Sequence, residues 1–588
     1  MPIQLGLEHE SFKYVFGILH KFSAPFGEPK SISLTCGRND RAAVQLLIYS
    51  DEEMLVSVGA DPCFYERGPI EIVRVDVDAP GLKPGAIKAN LIGLVEDDDR
   101  QLKSDMILPQ TSIHVEKRRA QPVWVELELD RDVKPGRYEP RITVYRHTLF
   151  EDETPVGELS FEVHVADVTL NDPADHGFYL DLWQHNANIA RKYDVELWSD
   201  RHFEIIENYV ASLSALGQKA STLVVSEIPW SGQSSCYDRI DPANLFEYNI
   251  VQVTKRPDGE WHYDFGALNR YVELCMKHRI EQEIEVFGLL NIWMLEDAGY
   301  GRVIEALDDA VRIRYFDGAS RTYKYMRDKD ELAAYVTALE RNFIDRGWID
   351  RVRVVADEPA DLKRFVGRLN TLKEMAPSFR YKAALDHAEF VELNIEGLTD
   401  YVLNLDSVAK EHDRVAELVQ NKTGRMLYYV ACTHKQPNTF INSHPLESRL
   451  IPWLSWFLKM DGFLRWNYTV WPNDPLRRIT YHGPFFPAGD TNFVYPGRDG
   501  TPMLSLRYKL LQKGIRDFDI MQRYVSGGGD RERLAERLKT VFLWNDLSEL
   551  HPKSRRTREE LFLLEDDACE AIVGGLLAEL AGAGQATR

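Results

Sequence analysis

Trp348-Ile349-Asp350-Arg351-Val352-Arg353-Val354-Val355-Ala356-Asp357-Glu358-Pro359 reads as a strand that runs into two carboxylates. Arg351 to Ala356 has strand-forming character, and Pro359 cannot continue a ladder because it has no N–H to donate. Asp357 and Glu358 therefore sit at the carboxyl end of a predicted strand, the end at which barrels and open α/β sheets hold catalytic groups. Consecutive strand residues point to opposite faces, so two neighbouring carboxylates share a pocket only where the strand ends and the backbone turns. Residues 360 to 376 then read as a helix, and capping that helix is the competing use of the pair.

The same rhythm extends on both sides. Predicted strands occur at Gly177–Trp183, Ser221–Val225, Glu283–Phe287, Val352–Val355, Tyr381–Leu385, Tyr401–Asn404, Arg425–Tyr429 and Gly462–Trp466, with helical patterns between most of them. Ser199-Asp200, for example, caps a helix carrying Phe203, Ile206, Tyr209, Val210 and Leu213, and Gly217 ends it. Eight such strands fit a (β/α)8 TIM-type barrel with insertions, a fold of usual length ~250 residues. Ahead of it, short alternating strands such as Ala42–Tyr49, Pro122–Leu129 and Glu158–Val165 predict an antiparallel β-sandwich. Leu170-Asn171-Asp172-Pro173-Ala174-Asp175 has linker character, and Ser526-Gly527-Gly528-Gly529 opens a helical extension with helices around 531–544 and 558–580 and a fraying tail. The expected organisation is thus a sandwich over 1–170, a barrel over 175–525 and helices over 526–588.

A chain of 588 residues with 44% hydrophobic and 11% aromatic content is globular and too long for one core. Lys and Arg total 71 against 92 Asp and Glu, a formal charge of −21, and no long basic run occurs, which argues against nucleic acid and anionic membranes as partners. The first ten residues lack a basic flank followed by an apolar core, and no stretch is apolar enough to span a bilayer, so a cytoplasmic location is expected. Six cysteines are scattered without Cys-x-x-Cys spacing and fit reduced thiols. His434 and His444 lack a spaced partner set for zinc, and Gly527-Gly528-Gly529 lacks the Lys-Ser or Lys-Thr of a phosphate loop, so no metal or cofactor is expected.

Carboxylates at a strand end, surrounded by aromatic faces, suit a sugar site, where carboxyls move protons and rings cover apolar CH surfaces. Tyr179, Trp183, Trp293, Tyr428, Tyr429, Trp466, Tyr468 and Trp471 all fall near predicted strand ends. Polar strand-end residues, Asp181, His185, Asn291, Asp386, Asn404, Asn438, Asn467 and Asp490, are candidates for sugar hydroxyls, each as apt to serve its own loop.

Phe178–His185, the Asp357-Glu358 pair, Cys432–Phe440, Gly462–Tyr468, and Ala488-Gly489-Asp490 with Val494-Tyr495-Pro496-Gly497 occur in the order found in glycoside hydrolase family 123, which residues 175 to 525 resemble. The resemblance implies a β-N-acetylgalactosaminidase acting by substrate-assisted retention on a glycan or glycoconjugate. The substrate's 2-acetamido oxygen would attack the anomeric carbon. By position Glu358 would be the general acid and base and Asp357 would orient the acetamido group, with Tyr429 a candidate donor to it and Trp466 the pocket floor. Adjacent like charges also raise one pKa, which keeps an acid protonated near neutrality.

Two departures stand out: Phe485-Phe486-Pro487 precedes the Ala-Gly-Asp motif where a tryptophan is expected, and Leu385-Asp386-His387-Ala388 matches no family pattern. Two other readings stay open. One is a barrel glycosidase on a non-acetylated sugar, pairing Glu358 with a distant carboxylate such as Glu227 or Asp406. The other is a non-catalytic glycan-binding protein on a retired barrel.

Overall fold

The computed structural model describes residues 3–16, 30–59, 71–148, 151–229, 246–292, 301–472, 474–477 and 486–586. Trp293, Phe485, Cys63 and Cys236 lie outside them.

Eight parallel strands form the second half of the chain: β1 (Tyr179–Leu182), β2 (Ala220–Val224), β3 (Glu283–Phe287), β4 (Val352–Asp357), β5 (Arg380–Leu385), β6 (Leu398–Asn404), β7 (Met426–Tyr429) and β8 (Gly462–Arg465). Each predicted strand is present, and β8 pairs back with β1, as the barrel expectation requires. The β1–β2 seam is closed by a side chain. Gln218 accepts from Leu182 N at 2.8 Å and donates to Leu182 O at 3.1 Å, while Lys219 N donates to Leu180 O at 3.0 Å. Gly462 is demanded by packing at the other seam, since a Cβ there would stand 1.9 Å from the Tyr179 carbonyl oxygen.

Helices follow the strands: α1 (Asp200–Leu216), α2 (Gly266–Lys277), α3 (Lys329–Asp345), α4 (Leu362–Met375), α5 (Glu389–Glu392), α6 (His412–Asn421), α7 (Pro445–Phe457) and α8 (Leu506–Ser526). α1 has the predicted ends, with Ser199 Oγ accepting from His202 N and Gly217 at φ 93°. Chain from the β2 and β3 loops joins in one four-stranded sheet, in the order Trp261–Asp264, Gln252–Lys255, Arg314–Asp317, Thr322–Tyr325.

The N-terminal region holds a six-stranded, a five-stranded and a three-stranded sheet that share one core, in which Leu46 and Val123 meet Val73, Ile142, Leu34 and Val163. Most pairings are antiparallel as predicted. Two are parallel: Met54–Ser57 with Glu71–Asp78, and Glu162–Thr169 with Ser33–Arg38.

The C-terminal helices differ from the expected pair. Arg531–Leu538 and the single turn Arg558–Leu561 precede a long α9 (Asp566–Ala586), which runs past the stretch expected to fray. The chain leaves helical form after Leu561 because Leu543 N donates to Leu561 O and Leu563 N to Val541 O, which stacks Phe542, Trp544 and Phe562 together. α8 and α9 both pack on the sandwich side, so the extension bridges the two domains.

Candidate active site

Alternation along the strands decides which side chains face the barrel interior. Lys382 of β5 reaches Asp181, Glu283 and Glu285 across the barrel at 2.6, 3.0 and 2.7 Å, so its series points inward. Lys382 is aligned with Val355 of β4 and Asp400 of β6. Two residues beyond Val355 and four beyond Asp400, Asp357 and Asn404 are therefore on the inward series at the carboxyl end. Tyr429 is the partner of Asn404, and Trp466 stands two residues beyond Leu464, the partner of Tyr429. These four residues meet at one mouth.

Glu358 follows Asp357 with φ 44°, in the left-handed region that costs a non-glycine residue ~1–2 kcal/mol. Its N–H still donates to Ala384 O at 3.0 Å, so the strand ends there and the chain turns. This turn lets neighbouring carboxylates serve one pocket. Neither caps the next helix. Asp361 is the N-cap of α4, its side chain accepting from Arg364 N at 2.7 Å, which removes the structural use that competed for the pair.

Tyr429 Oη donates to Glu358 Oε1. Burial raises the Glu358 carboxyl above its ordinary range; the Tyr429 bond pulls it down, Asp386 pushes it up and His387 pulls it down. Asp386 and His387 lie 3.3 Å apart at the end of β5, both half-exposed. Tyr429 itself is driven well above the usual phenol range by burial and by the Glu358 charge, so it stays a donor.

Trp466 lies against Phe486 at 5.4 Å between ring centroids and edge-on to His185 at 6.3 Å, forming a wall of the mouth. His185 is buried, and burial holds its imidazole down to about 3, so it is neutral. Trp183 packs edge-on against Phe287 at 4.8 Å. Behind Trp466, Arg465 holds Asp490 Oδ1 at 2.6 Å and Asn438 Oδ1 at 3.0 Å, and Asn467 Nδ2 donates to the Asp490 carbonyl. Burial pushes the Asp490 carboxyl up to about 6 against the pull of Arg465 and the Trp466 indole.

The candidates separate accordingly. Asp357, Glu358, Tyr429, Trp466, Asn404, Asp386 and His185 gather at the mouth, with Asp490 and Asn467 directly behind Trp466. Asp181 does not join them: it is fully buried in the barrel interior with Oδ2 taken by Lys382. Asn438 is fully buried too, its amide donating to Ala431 O and His434 O and accepting from Arg465. Asn291 turns to the backbone of Asp357. Of the remaining aromatics, Tyr428 donates to Ile451 O, Trp471 to Val494 O, and Tyr468 bonds Ser212, all as core residues.

The two distant carboxylates are already engaged. Glu227 accepts from Arg314 Nε at 2.5 Å and Tyr325 Oη at 2.7 Å, which anchors the inserted sheet to the barrel. Asp406 is bound to His434 Nδ1. Sequence reasoning missed His387, Arg465 and Lys382. Lys382 carried a signal, a charge within the otherwise apolar strand Tyr381-Lys382-Ala383-Ala384-Leu385. No group of His, Cys, Asp and Glu suited to a metal occurs among the described residues.

No curated protein matches the chain. Over 99% of both chains the structure resembles a family 123 glycoside hydrolase from Clostridium perfringens studied for glycolipid glycan hydrolysis, at TM-score 0.75 and 15% identity, a likeness of fold. A glycoside hydrolase candidate from Bacteroides vulgatus (TM-score 0.32, 9% identity, 77% of each chain) and a β-D-glucuronidase from Dictyoglomus thermophilum (0.31, 10%, 83% of this chain and 69% of that one) are too distant to bear on the argument. The model of the glycoside hydrolase 123 catalytic domain matches residues 183–524, more than half of the 588 and the whole mouth built around Asp357 and Glu358. The chain belongs to glycoside hydrolase family 123 and is a glycosidase.

Proposed function

We propose that the protein is an exo-acting, retaining β-N-acetylgalactosaminidase that uses the substrate's own acetamido group as nucleophile. The observation that carries this reading is the left-handed turn at Glu358, which sets two sequence-adjacent carboxylates at one mouth while Glu227 and Asp406 are bound elsewhere. An enzyme nucleophile opposed to an acid requires two separated carboxylates, whereas a substrate-assisted reaction does not. In the first half, Glu358 gives its proton to the glycosidic oxygen as the acetamido oxygen bonds the anomeric carbon and the leaving group departs. Asp357 holds the acetamido N–H and stabilises the positive charge of the oxazolinium ring. Water, deprotonated by Glu358, then opens the ring with retention.

Burial supports Glu358 in the acid role by keeping it protonated to higher pH. Tyr429, bonded to Glu358 before substrate enters, is placed to turn its hydroxyl to the acetamido oxygen once Glu358 engages the leaving group. Trp466 and His185 serve as walls for the sugar ring, with Trp183, Asp490 and Asn467 in support. Glycolipid glycans ending in a β-linked N-acetyl sugar are a natural substrate class to test.

Wild-type enzyme is expected to cleave an aryl β-N-acetylgalactosaminide and to bind a thiazoline analogue of that sugar tightly, because the thiazoline mimics the cyclic intermediate to which only a substrate-assisted site is complementary. Cleavage of an aryl β-galactoside with no thiazoline inhibition would overturn the mechanism. Glu358→Gln should lose turnover by ~10²–10⁴-fold, the usual share of general acid–base catalysis.

A further inference from the structure

Asn291 was a candidate for a sugar hydroxyl, and the structure gives its amide different work. It lies four residues beyond β3, after a turn at Gly288 (φ 98°) where a Cβ would stand 2.2 Å from Ser226 Oγ, and is itself left-handed at φ 53°. Asp309, buried, grips this turn by accepting from Asn291 N at 2.8 Å and Ile292 N at 2.7 Å. The Asn291 amide then reaches the catalytic strand: Nδ2 donates to the carbonyl oxygen of Asp357.

Which end of the amide faces Asp357 is settled by its other neighbour. Arg368 of α4 places Nη1 3.1 Å from Oδ1, and a guanidinium offers only donors, so the oxygen must face Arg368 and the nitrogen Asp357. Arg368 is itself held by the Asp308 carbonyl at 2.5 Å. The Asp357 carbonyl belongs to the peptide between the two carboxylate residues, and the plane of that peptide sets φ of Glu358. A strained φ persists only where its surroundings over-determine it.

We infer that Asn291 is a positioning residue of this hydrolase, fixing the Asp357–Glu358 peptide plane and through it the directions of both carboxylates, with Arg368 fixing Asn291. This rests on the roles assigned above to Asp357 and Glu358. Asn291→Asp is the informative variant, because it keeps the shape and the acceptor for Arg368 and loses the donor to Asp357.

Two readouts separate this from a role in folding alone. On an aryl β-N-acetylgalactosaminide, Asn291→Asp should lose ~100-fold in kcat with KM little changed, the scale of a small misplacement of reacting groups. By hydrogen exchange, the Glu358 amide, now bonded to Ala384 O, should exchange roughly tenfold faster while the rest of β4 and β5 keeps its protection. Arg368→Ala should move both readouts in the same direction, and it takes over the test should Asn291→Asp fail to fold. Wild-type kcat in a folded variant, or an unchanged Glu358 amide, overturns the inference and leaves the proposed function standing. A wild-type enzyme inert toward every aryl hexosaminide overturns the function instead, and the exchange measurement then still decides the inference.

Discussion

The hydroxyl of Tyr429, the last residue of β7, donates a hydrogen bond to Oε1 of Glu358, the first residue past β4. The bond spans the mouth and ties the reactivity of the candidate acid to a residue three strands away. A donor to a carboxylate favours its charged form, so Tyr429 opposes the upward push of burial.

Tyr429→Phe should therefore raise the Glu358 pKa further. A general acid works while protonated, so activity is present below its pKa and is lost as pH rises through it. The alkaline limb of kcat/KM in Tyr429→Phe is expected to move to higher pH, with kcat falling roughly 10- to 100-fold if the hydroxyl also serves the acetamido group. An unmoved alkaline limb would show that the bond does not tune Glu358.

Asp386 and His387 act on Glu358 with opposite signs. Asp386→Asn removes a charge that raises the Glu358 pKa, so its alkaline limb should move to lower pH. His387→Gln removes one that lowers it, and its limb should move to higher pH. Both side chains are half-exposed, so thermal stability should stay within about 0.5 kcal/mol of wild type. Limbs that move together in the two variants would contradict the assignment.

The barrel was legible because its strands are short apolar runs broken by capped helices, and all eight fall where the pattern put them. Asp357 and Glu358 were legible because Pro359 stops their strand. The inward ion cluster was not, because Asp181, Glu283, Glu285 and Lys382 come from three strands far apart in the chain, and only barrel closure brings them together. Asp181 therefore read as a strand-end ligand when it is part of the interior. Asn438 misled for a related reason: its loop looks like a binding loop, but its amide is spent on Arg465 and the loop's own backbone. The left-handed φ of Glu358 has no sequence signal at all.

That cluster holds three carboxyls around one ammonium, with Arg425 on Glu283 at 2.8 Å as a second cation. Burial and then the Asp181 charge drive the Glu285 carboxyl well above its usual range, toward the neutral form, against the pull of Lys382. Glu285→Gln, a neutral isostere, should change stability by no more than ~1 kcal/mol. Lys382→Met strands buried carboxylates and should cost ~3–5 kcal/mol by chemical denaturation. Equal costs for the two substitutions would refute this charge assignment.

Cations of α8 join the two domains. Arg507 pairs with Asp105 at 2.9 Å, Lys509 with Glu126 at 2.9 Å, Lys513 with Glu10, and Arg516 with Asp40 at 2.5 Å, each carboxylate belonging to the sandwich and buried. Burial would raise Glu10, but Lys513 and Arg41 overcome it and hold the carboxyl at about 2, against an ordinary 4.5. With the folded value depressed, the stabilisation is present above about pH 4.5 and is lost as pH falls toward about 2. Lys513→Met, which also strips Glu570 of a partner at 2.8 Å, should cost ~3–5 kcal/mol at neutral pH and move acid unfolding to higher pH. Residues 1–170 made without the barrel would lose all four α8 cations, leaving Arg41 alone to meet Glu10 and Glu126, and near-ultraviolet circular dichroism should show no fixed tertiary structure. A cooperatively folded isolated sandwich would mean that these ion pairs weld the domains without being needed to form one.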